Sequence, residues 1–262
     1  MNNSRRLFFK LAGISALGVA FTCPTLNAFA GGIATPKKSS MHLGKEALTA
    51  KQWGMVIDTR LITTKEKFNQ ITNSCVKVHN IPQIKNKKHE IKWIWKTEYS
   101  HAFPDQTPKF DDEKFSHKNV LVLCNHCENP ACVRVCPTRA TFKDVRNGIT
   151  MMDMHRCIGC RFCMAACPYG ARSFNFIDPR PYIVEKNPLY PTRMKGVVEK
   201  CNFCTERLAI GQLPVCVEAS EGAIAFGDLS DPNSNVRQLI KTNYTIRRKQ
   251  HLGTEPTVYY IV

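Results

Sequence analysis

The sequence lacks a hydrophobic run of the length that crosses a membrane, and it has few acidic residues. The apolar stretch at residues 11–21 is too short for a bilayer core of about 30 Å, which takes about 20 helical residues. Lysine and arginine number 37 against 21 aspartate and glutamate, so the formal net charge is +16. This excess is typical of a solvated basic surface, or of a surface that docks on an acidic partner or on anionic lipid.

Motifs that carry catalysis or bind nucleic acid are also missing. The chain has no Ser/His/Asp or Cys/His constellation, no carboxylate pair in a recognisable motif and no phosphate-binding glycine loop. Its basic residues do not alternate with stacking aromatics as they do in a nucleic-acid module. We therefore predict a protein that is not itself an enzyme and that does not bind nucleic acid.

Cysteine, in contrast, is abundant, with 13 residues in a chain of 262. Eight of them form two runs, at residues 124–136 and 157–167, and each run ends in Cys-Pro. The second run has the spacing of a bacterial ferredoxin, and the first differs from it only in a four-residue second gap. Cysteine pairs also bind structural zinc, and a cysteine-rich exported chain can be a disulfide scaffold. Eight cysteines in two such runs favour two [4Fe–4S] clusters over either alternative.

In a two-cluster ferredoxin, three cysteines of one run hold one cluster and the fourth cysteine holds the other. The spacing therefore predicts two interlocked sets of ligands. The first group is Cys124, Cys127, Cys132 and Cys167, and the second group is Cys136, Cys157, Cys160 and Cys163. Loops that exchange ligands in this way bring two clusters close enough together to pass single electrons.

Four further cysteines have the same three-plus-one distribution along the chain. Cys201, Cys204 and Cys216 come from one segment, and Cys75 comes from another. We predict that these four residues, the third group, hold a third [4Fe–4S] cluster. The alternative leaves Cys75 free and the other three cysteines with an open or three-iron site.

Residues 1–30 have the pattern of a twin-arginine signal peptide. A pair of arginines precedes the apolar stretch, and a small-x-small cleavage site ends the segment at Ala30. We expect cleavage after Ala30, with an uncleaved anchor as the alternative. Cys23 lies inside this segment and is not expected to be a ligand. A linker at residues 31–50 follows.

The rest of the chain predicts an α+β protein with a repeated unit of strand, cysteine loop, short helix and strand. Strands are expected at residues 53–58, 91–96, 148–153, 171–176 and 223–227. Residues 59–74 are expected to be loop and helix, and residues 230–262 to be a basic C-terminal arm. Units of this size bury little apolar area alone, so we expect metal binding to be coupled to folding.

From residue 51 onwards the sequence resembles the exported iron–sulfur subunits of quinol-linked respiratory oxidoreductases. This family includes the electron-transfer subunits of polysulfide, dimethyl sulfoxide and tetrathionate reductases and of formate-dependent nitrite reductase systems. The motifs that carry the resemblance are residues 54–58, 124–140, 157–170, 201–204, 216–217, 231–234 and 252–256. The resemblance implies two fused bacterial-ferredoxin-like 2[4Fe–4S] units with loop insertions. Residues 51–118 with 197–229 would be the first unit, and residues 119–178 the second.

The chain departs from this family pattern in two places. The first family motif has three closely spaced cysteines ahead of a fourth, and here only the fourth, Cys75, is present. The last family motif ends in Cys-Pro, where this chain has Ser220 and Glu221. In the interlocked scheme all the missing ligands serve one cluster. The sequence therefore predicts the loss of one whole cluster and the retention of three.

The resemblance implies a subunit that carries electrons between an integral-membrane quinol-binding subunit and a periplasmic terminal reductase. In relatives, the cluster that is absent here lies next to a molybdenum subunit. We therefore expect a multihaem cytochrome c of nitrite or sulfite respiration as the acceptor. The alternatives are a molybdopterin reductase of the polysulfide, tetrathionate or dimethyl sulfoxide type, and a free periplasmic ferredoxin. The expected location is the periplasm, on the inner membrane through the partner.

Overall fold

The computed structural model describes residues 44–106 and 118–262, which have mixed helical and strand structure. The predicted signal peptide and most of the predicted linker lie outside the described residues. From residue 44 onwards the described chain packs as one unit. The paired strands and short helices of this unit agree with the predicted α+β class.

A four-stranded sheet contains strands from both ends of the described chain. Its order is β8-β1-β10-β9, where the strands are β1 (Trp53–Asp58), β8 (Ile224–Asp228), β9 (Thr245–Ile246) and β10 (Val258–Ile261). β1 pairs antiparallel with β8 and parallel with β10, so that Met55 lies opposite Phe226 on one side and Val258 on the other. The predicted strand at residues 53–58 is thus an inner strand of this sheet.

Both faces of β1 are covered, which explains its unbroken apolar run. Met55 and Ile57 face the main core, and Val56 faces a smaller core. The smaller core lies under α7 (Asn235–Thr242), whose Val236 is fully buried. Because each face meets its own core, the strand does not alternate between apolar and polar residues.

The C-terminal residues contribute structure that the sequence analysis did not anticipate. Residues 230–262 supply α7, β9 and β10, and Tyr260 of β10 is fully buried. β10 is the parallel neighbour of β1, although the two strands are about 200 residues apart in the chain. Parallel strands need a long crossover connection, so no local turn signal in the sequence could have indicated this pairing.

The first long helix, α1 (Lys65–Val78), carries Cys75 into the core. It begins at Thr64, whose hydroxyl accepts a hydrogen bond from the backbone N–H of Lys67. This is a standard N-cap, and it places Phe68, Ile71 and Cys75 on the buried face at three- and four-residue intervals. The helix therefore extends further than the expected 59–74.

The remaining elements are short and frame the cysteine loops. Three two-stranded sheets pair β2 (Ile94–Glu98) with β3 (Asn119–Leu123), β4 (Thr141–Lys143) with β5 (Thr150–Met152), and β6 (Ser173–Phe174) with β7 (Val198–Glu199). The short helices are α2 (Tyr99–Ala102), α3 (Ala131–Arg134), α4 (Phe162–Ala165), α5 (Thr205–Leu208) and α6 (Val215–Glu218). The predicted strands at 148–153 and 171–176 are present but reduced to three and two residues.

Candidate metal centres

The three Cys-x-x-Cys loops turn the chain in the same way. The residue before the second cysteine has a left-handed backbone in each loop, with φ of 41° at His126, 69° at Gly159 and 55° at Phe203. At Gly159 the reason for glycine is also steric, since a Cβ there would lie 2.5 Å from the Gly196 carbonyl oxygen. The shared turn curls each loop so that its two sulfurs can face one centre.

His126 and Phe203 hold their unfavourable backbone conformation by packing on each other. Their rings stack with centroids 3.6 Å apart and an interplanar angle of 19°. Both side chains are about 1% exposed. Since non-glycine residues in this region carry a conformational cost, this buried contact helps to keep the two turns in place. It also joins the loop of the first group to the loop of the third.

Each loop is followed by a four-residue helix that presents a further cysteine, although in the third case the cysteine-free α5 comes first. Cys132 lies on α3, Cys163 on α4 and Cys216 on α6. Backbone N–H groups also point at two of the sulfurs. The N–H of Thr141 donates to Cys136 Sγ and the N–H of Phe203 donates to Cys201 Sγ, both at 3.4 Å. Such donors favour thiolate over thiol, as expected of a metal ligand.

The structure brings the first group together in a largely buried site. Cys127 interacts electrostatically with Cys124, Cys132 and Cys167. Burial, reinforced by the Cys124 thiol, raises the pKa of the Cys127 thiol to about 12. The pKa of Cys167 is also raised, first by burial and then by Cys124. Sulfurs in this environment become thiolates only when a cation compensates their charge.

The cysteines of the second group line one cavity and lie nearer the surface. The cavity is bounded by Cys136, Cys157, Cys160 and Cys163 together with Thr138, Ala140, Thr141, Met152, Ile158, Arg161 and Val198. Cys160 is exposed. Partial burial works to raise the pKa of Cys136, but the N–H of Thr141 and its neighbours outweigh it, so this pKa lies below its usual value.

The third group is the most deeply buried of the three. Its members Cys75, Cys201, Cys204 and Cys216 are between 4% and 8% exposed. Cys204 interacts electrostatically with the other three, and Cys75 with Cys201 and Cys216. Burial raises the pKa of all four thiols, to about 12 for Cys216. The structure thus brings Cys75 close to Cys201, Cys204 and Cys216.

The chemistry of these groups fits thiolate-ligated clusters. All twelve cysteines in the described part of the chain are free, so sulfurs that lie side by side do not form disulfides. Several buried N–H donors beside them have no protein partner, among them Nδ2 of Asn125 and Nη2 of Arg172. Buried polar groups are rarely left unsatisfied. Clusters carry inorganic sulfides that accept hydrogen bonds, and these would supply partners that the protein does not.

The three groups are arranged in a line with the first group in the middle. Cys124 of the first group interacts electrostatically with Cys201 of the third. On the other side, Cys132 of the first group interacts with Cys163 of the second. The arrangement therefore provides two junctions, one on each side of the first group.

Two functional candidates near Cys75 were missed by the sequence analysis. Nδ1 of His79 lies 3.5 Å from Cys75 Sγ, and its Nε2 lies 2.8 Å from a carboxylate oxygen of Glu206. Ligand atoms of His79, Cys204 and Glu206 lie within 4.8 Å of one another. Burial opposes ionisation of Glu206, but the hydrogen bond from His79 outweighs it and lowers the pKa of this carboxyl. The four-residue spacing of Cys75 and His79 on one helix was the available signal.

Ser220 occupies the backbone position that corresponds to Cys136 and Cys167. The N–H groups of Cys136, Cys167 and Ser220 donate to the carbonyl three residues earlier, at 3.1–3.3 Å. The carbonyl oxygen of each of these residues in turn accepts a hydrogen bond from the backbone N–H three positions later, at 3.2–3.3 Å. The Ser220 hydroxyl donates to the Val217 carbonyl at 2.7 Å and accepts from the Ile224 N–H at 2.9 Å. The turn is thus the same as in the two cysteine runs, but the Ser220 side chain makes hydrogen bonds to the backbone.

The fold and the cysteine groups together define a ferredoxin-type iron–sulfur protein. Residues 118–229 match the family described as the 4Fe-4S dicluster domain. This match covers the first and second groups and all of the third except Cys75.

Comparison with curated proteins shows the particular family. The chain is 38% identical to the Hdr-like menaquinol oxidoreductase iron-sulfur subunit 1 of Archaeoglobus fulgidus, over 98% of this chain and 97% of that protein. It is 36% identical to the menaquinone reductase iron-sulfur cluster-binding subunit of Nitratidesulfovibrio vulgaris, over 80% and 88%. It is 35% identical to Protein NrfC of Escherichia coli, over 80% of each chain. The chain belongs to this family of iron–sulfur electron-transfer subunits of respiratory oxidoreductases.

Within 44–106 and 118–262, none of the helices combines the length and the apolar character needed to cross a bilayer.

Proposed function

We propose that the chain is the electron-transfer subunit of a membrane-bound quinol oxidoreductase and holds three [4Fe–4S] clusters in two fused ferredoxin-like units. The first, second and third groups are the proposed ligand sets. A [4Fe–4S] cluster supplies one-electron transfer over a wide range of potentials when bound. The main support for the proposal is that Cys75 is buried close to Cys201, Cys204 and Cys216.

The count of three is supported by the loss of one complete ligand set. Ser220 keeps the turn of a fourth cysteine but uses its hydroxyl in two backbone hydrogen bonds. At the other end, residues 59–74 contain no cysteine, and α1 places Phe68 and Ile71 in the core instead. Both changes remove ligands of the same cluster, so the remaining twelve cysteines divide into three full sets.

The second group is the proposed point of contact with the quinol-binding membrane subunit. Cys160 is exposed, and the apolar side chains on either side of it, Ile158 and Phe162, are 67% and 59% exposed. Exposed apolar residues beside an exposed ligand are typical of a docking surface. From this surface the linear arrangement leads through the first group to the third.

The proposed donor is a menaquinol-type quinol bound by an integral-membrane partner. The names of the relatives from Archaeoglobus and Nitratidesulfovibrio, a menaquinol oxidoreductase and a menaquinone reductase, support it. The proposed acceptor is a periplasmic multihaem cytochrome c, because the cluster that would lie next to a molybdenum subunit is absent. Other relatives are named as subunits of selenate and arsenate reductases, which keeps a molybdopterin reductase as the alternative.

The proposed location is the periplasmic face of the inner membrane. The support is the twin-arginine pattern of residues 1–30, with cleavage after Ala30. Attachment would come through the partner subunit.

Anaerobic affinity purification of the tagged chain from solubilised membranes of its own host tests the proposed partners. We expect a polytopic membrane protein and covalently bound haem to co-purify with visible iron–sulfur absorption. A complex with molybdopterin and no haem would overturn the proposed acceptor. A lone chain in the soluble fraction would identify a free ferredoxin, and a colourless chain containing zinc would contradict the cluster assignment.

A further inference from the structure

We propose that Arg172 and Lys200 are buried counter-cations, one at each junction of the line of clusters, and that they raise the reduction potentials of the adjoining clusters. The proposal rests on the cluster assignment made above. It concerns two residues of the chain that are not themselves ligands.

Arg172 is a buried cation that pairs with no carboxylate among the described residues. It is 5% exposed, its Nη1 donates to Thr141 Oγ1 at 3.1 Å, and it lies 3.9 Å from Met152 Sδ. None of the ion pairs found among the described residues includes it, and its Nη2 is buried without a partner. Burying a guanidinium without an anion is costly, so the site needs negative charge from another source.

The surroundings of Arg172 identify that source as the first and second groups. Its hydrogen-bond partners Thr141 and Met152 both line the cavity of the second group. The guanidinium also interacts electrostatically with Cys132 and Cys163, which belong to different groups. An arginine side chain stays protonated in proteins, so the guanidinium keeps its positive charge in this buried position. Arg172 therefore lies at the junction of the first and second groups.

Lys200 has the equivalent place at the other junction. It is 2% exposed, and its ammonium donates to two backbone carbonyls, those of Thr150 and Cys201. The described residues provide no carboxylate within ion-pair distance of it. It immediately precedes the ligand Cys201, whose sulfur interacts electrostatically with Lys200 and with Cys124. The ammonium is thus buried where the first and third groups meet.

A third buried cation shows what the protein does when it compensates charge by itself. Arg193 is 4% exposed, and its Nε lies 2.9 Å from a carboxylate oxygen of fully buried Glu199. Among the described residues, no such carboxylate pairs with Arg172 or Lys200. A [4Fe–4S] core with four thiolates is a net anion, so the clusters on the two sides of each junction would compensate its cation and explain the missing acid.

A buried cation next to a cluster has a defined effect on its potential. Reduction adds a negative charge, and a nearby positive charge stabilises the reduced state more than the oxidised state. Little solvent or salt reaches these sites, so screening is weak. Net charge and hydrogen bonds to sulfur are among the factors that set cluster potentials.

The test is an EPR-monitored redox titration of the purified, cluster-loaded chain with Arg172→Gln, Arg172→Lys and Lys200→Gln. For Arg172→Gln we expect at least a tenfold lower ratio of reduced to oxidised cluster at fixed potential, a shift of about 59 mV for a one-electron couple. Lys200→Gln should lower the potential of the third group in the same way, and Arg172→Lys should stay near the unmodified chain.

Arg156→Gln is the matched control. It removes the same charge one residue from Cys157, but Arg156 has a 66% exposed side chain, so solvent screens it. Equal shifts in Arg156→Gln and Arg172→Gln, or unchanged potentials in Arg172→Gln and Lys200→Gln, would overturn the proposal. If Arg172→Gln does not assemble its clusters, the potential of the third group in Lys200→Gln decides whether the proposal holds. Iron content measured on the same samples separates this outcome from an error in cluster number, which would show as missing iron in the unmodified chain.

Discussion

At the residue scale, Ser220 marks the place where this chain departs from a four-cluster ferredoxin. Its backbone hydrogen bonds match those of Cys136 and Cys167, while its side chain caps the turn. A serine that makes two hydrogen bonds in a fully buried position is an established part of the core. The turn therefore keeps its local fold with serine in place of cysteine.

Removing a ligand of the third group should cost one cluster and leave the other two. We expect Cys216→Ala to lower the iron content of the anaerobically purified chain from about 12 to about 8 atoms, since each cluster holds four. The buried site offers no solvent ligand in its place, because Cys216 is 6% exposed. The measurement is iron and acid-labile sulfide per chain.

The matched control for Cys216→Ala is Ser220→Cys. It restores the family cysteine without the three others of that set, so the iron content should stay at about 12 atoms. A rise to about 16 atoms with Ser220→Cys would show that the fourth set is not lost.

At the element scale, α1 is the helix that carries Cys75 of the third group into the core. Ile71 on its buried face is fully buried one turn before Cys75. We expect Ile71→Ala to lower the free energy of unfolding by about 2–5 kcal/mol, through lost transfer energy and a cavity. Because the same helix carries Cys75, the third cluster should be lost first on heating. Thermal bleaching followed by EPR measures both effects.

Asn69→Ala is the control on the same helix, since Asn69 is exposed. It should leave stability and the order of cluster loss unchanged. If Ile71→Ala bleached all three clusters together, α1 would not have the separate role assigned to it.

A buried polar network fixes the segment that joins β6 to β7. Glu199 on β7 pairs with Arg193 at 2.9 Å and accepts from Trp93 Nε1 at 3.0 Å and Asn175 Nδ2 at 2.6 Å. Arg193→Met would leave a buried carboxylate without its cation, which costs about 3–5 kcal/mol. The midpoint of thermal unfolding, followed by near-UV circular dichroism under anaerobic conditions, should fall accordingly.

Arg180→Met supplies the comparison for Arg193→Met. Arg180 pairs with Asp178 in the same segment, but both side chains are exposed, at 58% and 42%. Exposed pairs contribute little, so the unfolding midpoint should not move. Equal effects of the two variants would contradict the role given to burial.

The sequence predicts the elements close to the cysteines better than the rest of the fold. Strand β1 was predictable from its continuous apolar run, and the cysteine loops were predictable from the spacing of their cysteines, because both patterns are local in the sequence. The parallel pairing of β1 with β10 and the ion pair of Arg193 with Glu199 depend on residues far apart in the chain. Arg172 and Lys200 likewise look like ordinary surface cations in the sequence, and only the fold shows that they are buried.

At the scale of the whole molecule, the surface around the second group is the expected entry point for electrons. We predict that Ile158→Asp combined with Phe162→Asp slows reduction of the clusters by quinol in the assembled complex by at least tenfold. A carboxylate in an apolar contact must be desolvated without a partner, which weakens docking. Stopped-flow reduction by a soluble menaquinol analogue measures the rate.

Tyr244→Asp is the control surface variant for this experiment. Tyr244 is 78% exposed and lies between α7 and β9. The menaquinol analogue should reduce the clusters of Tyr244→Asp at the same rate as those of the unmodified chain. Dithionite should reduce the clusters of all variants at the same rate. If the double variant kept the normal rate, the second group would not face the membrane partner.

The proposed electron path depends on twelve cysteines that form three complete ligand sets. The most direct measurement is iron and acid-labile sulfide per chain, together with Mössbauer spectra, on protein purified without oxygen from a host that builds clusters. We expect about 12 iron atoms and 12 sulfides, all in the [4Fe–4S] form. About eight iron atoms, or a three-iron signal with a free thiol at Cys75, would contradict it.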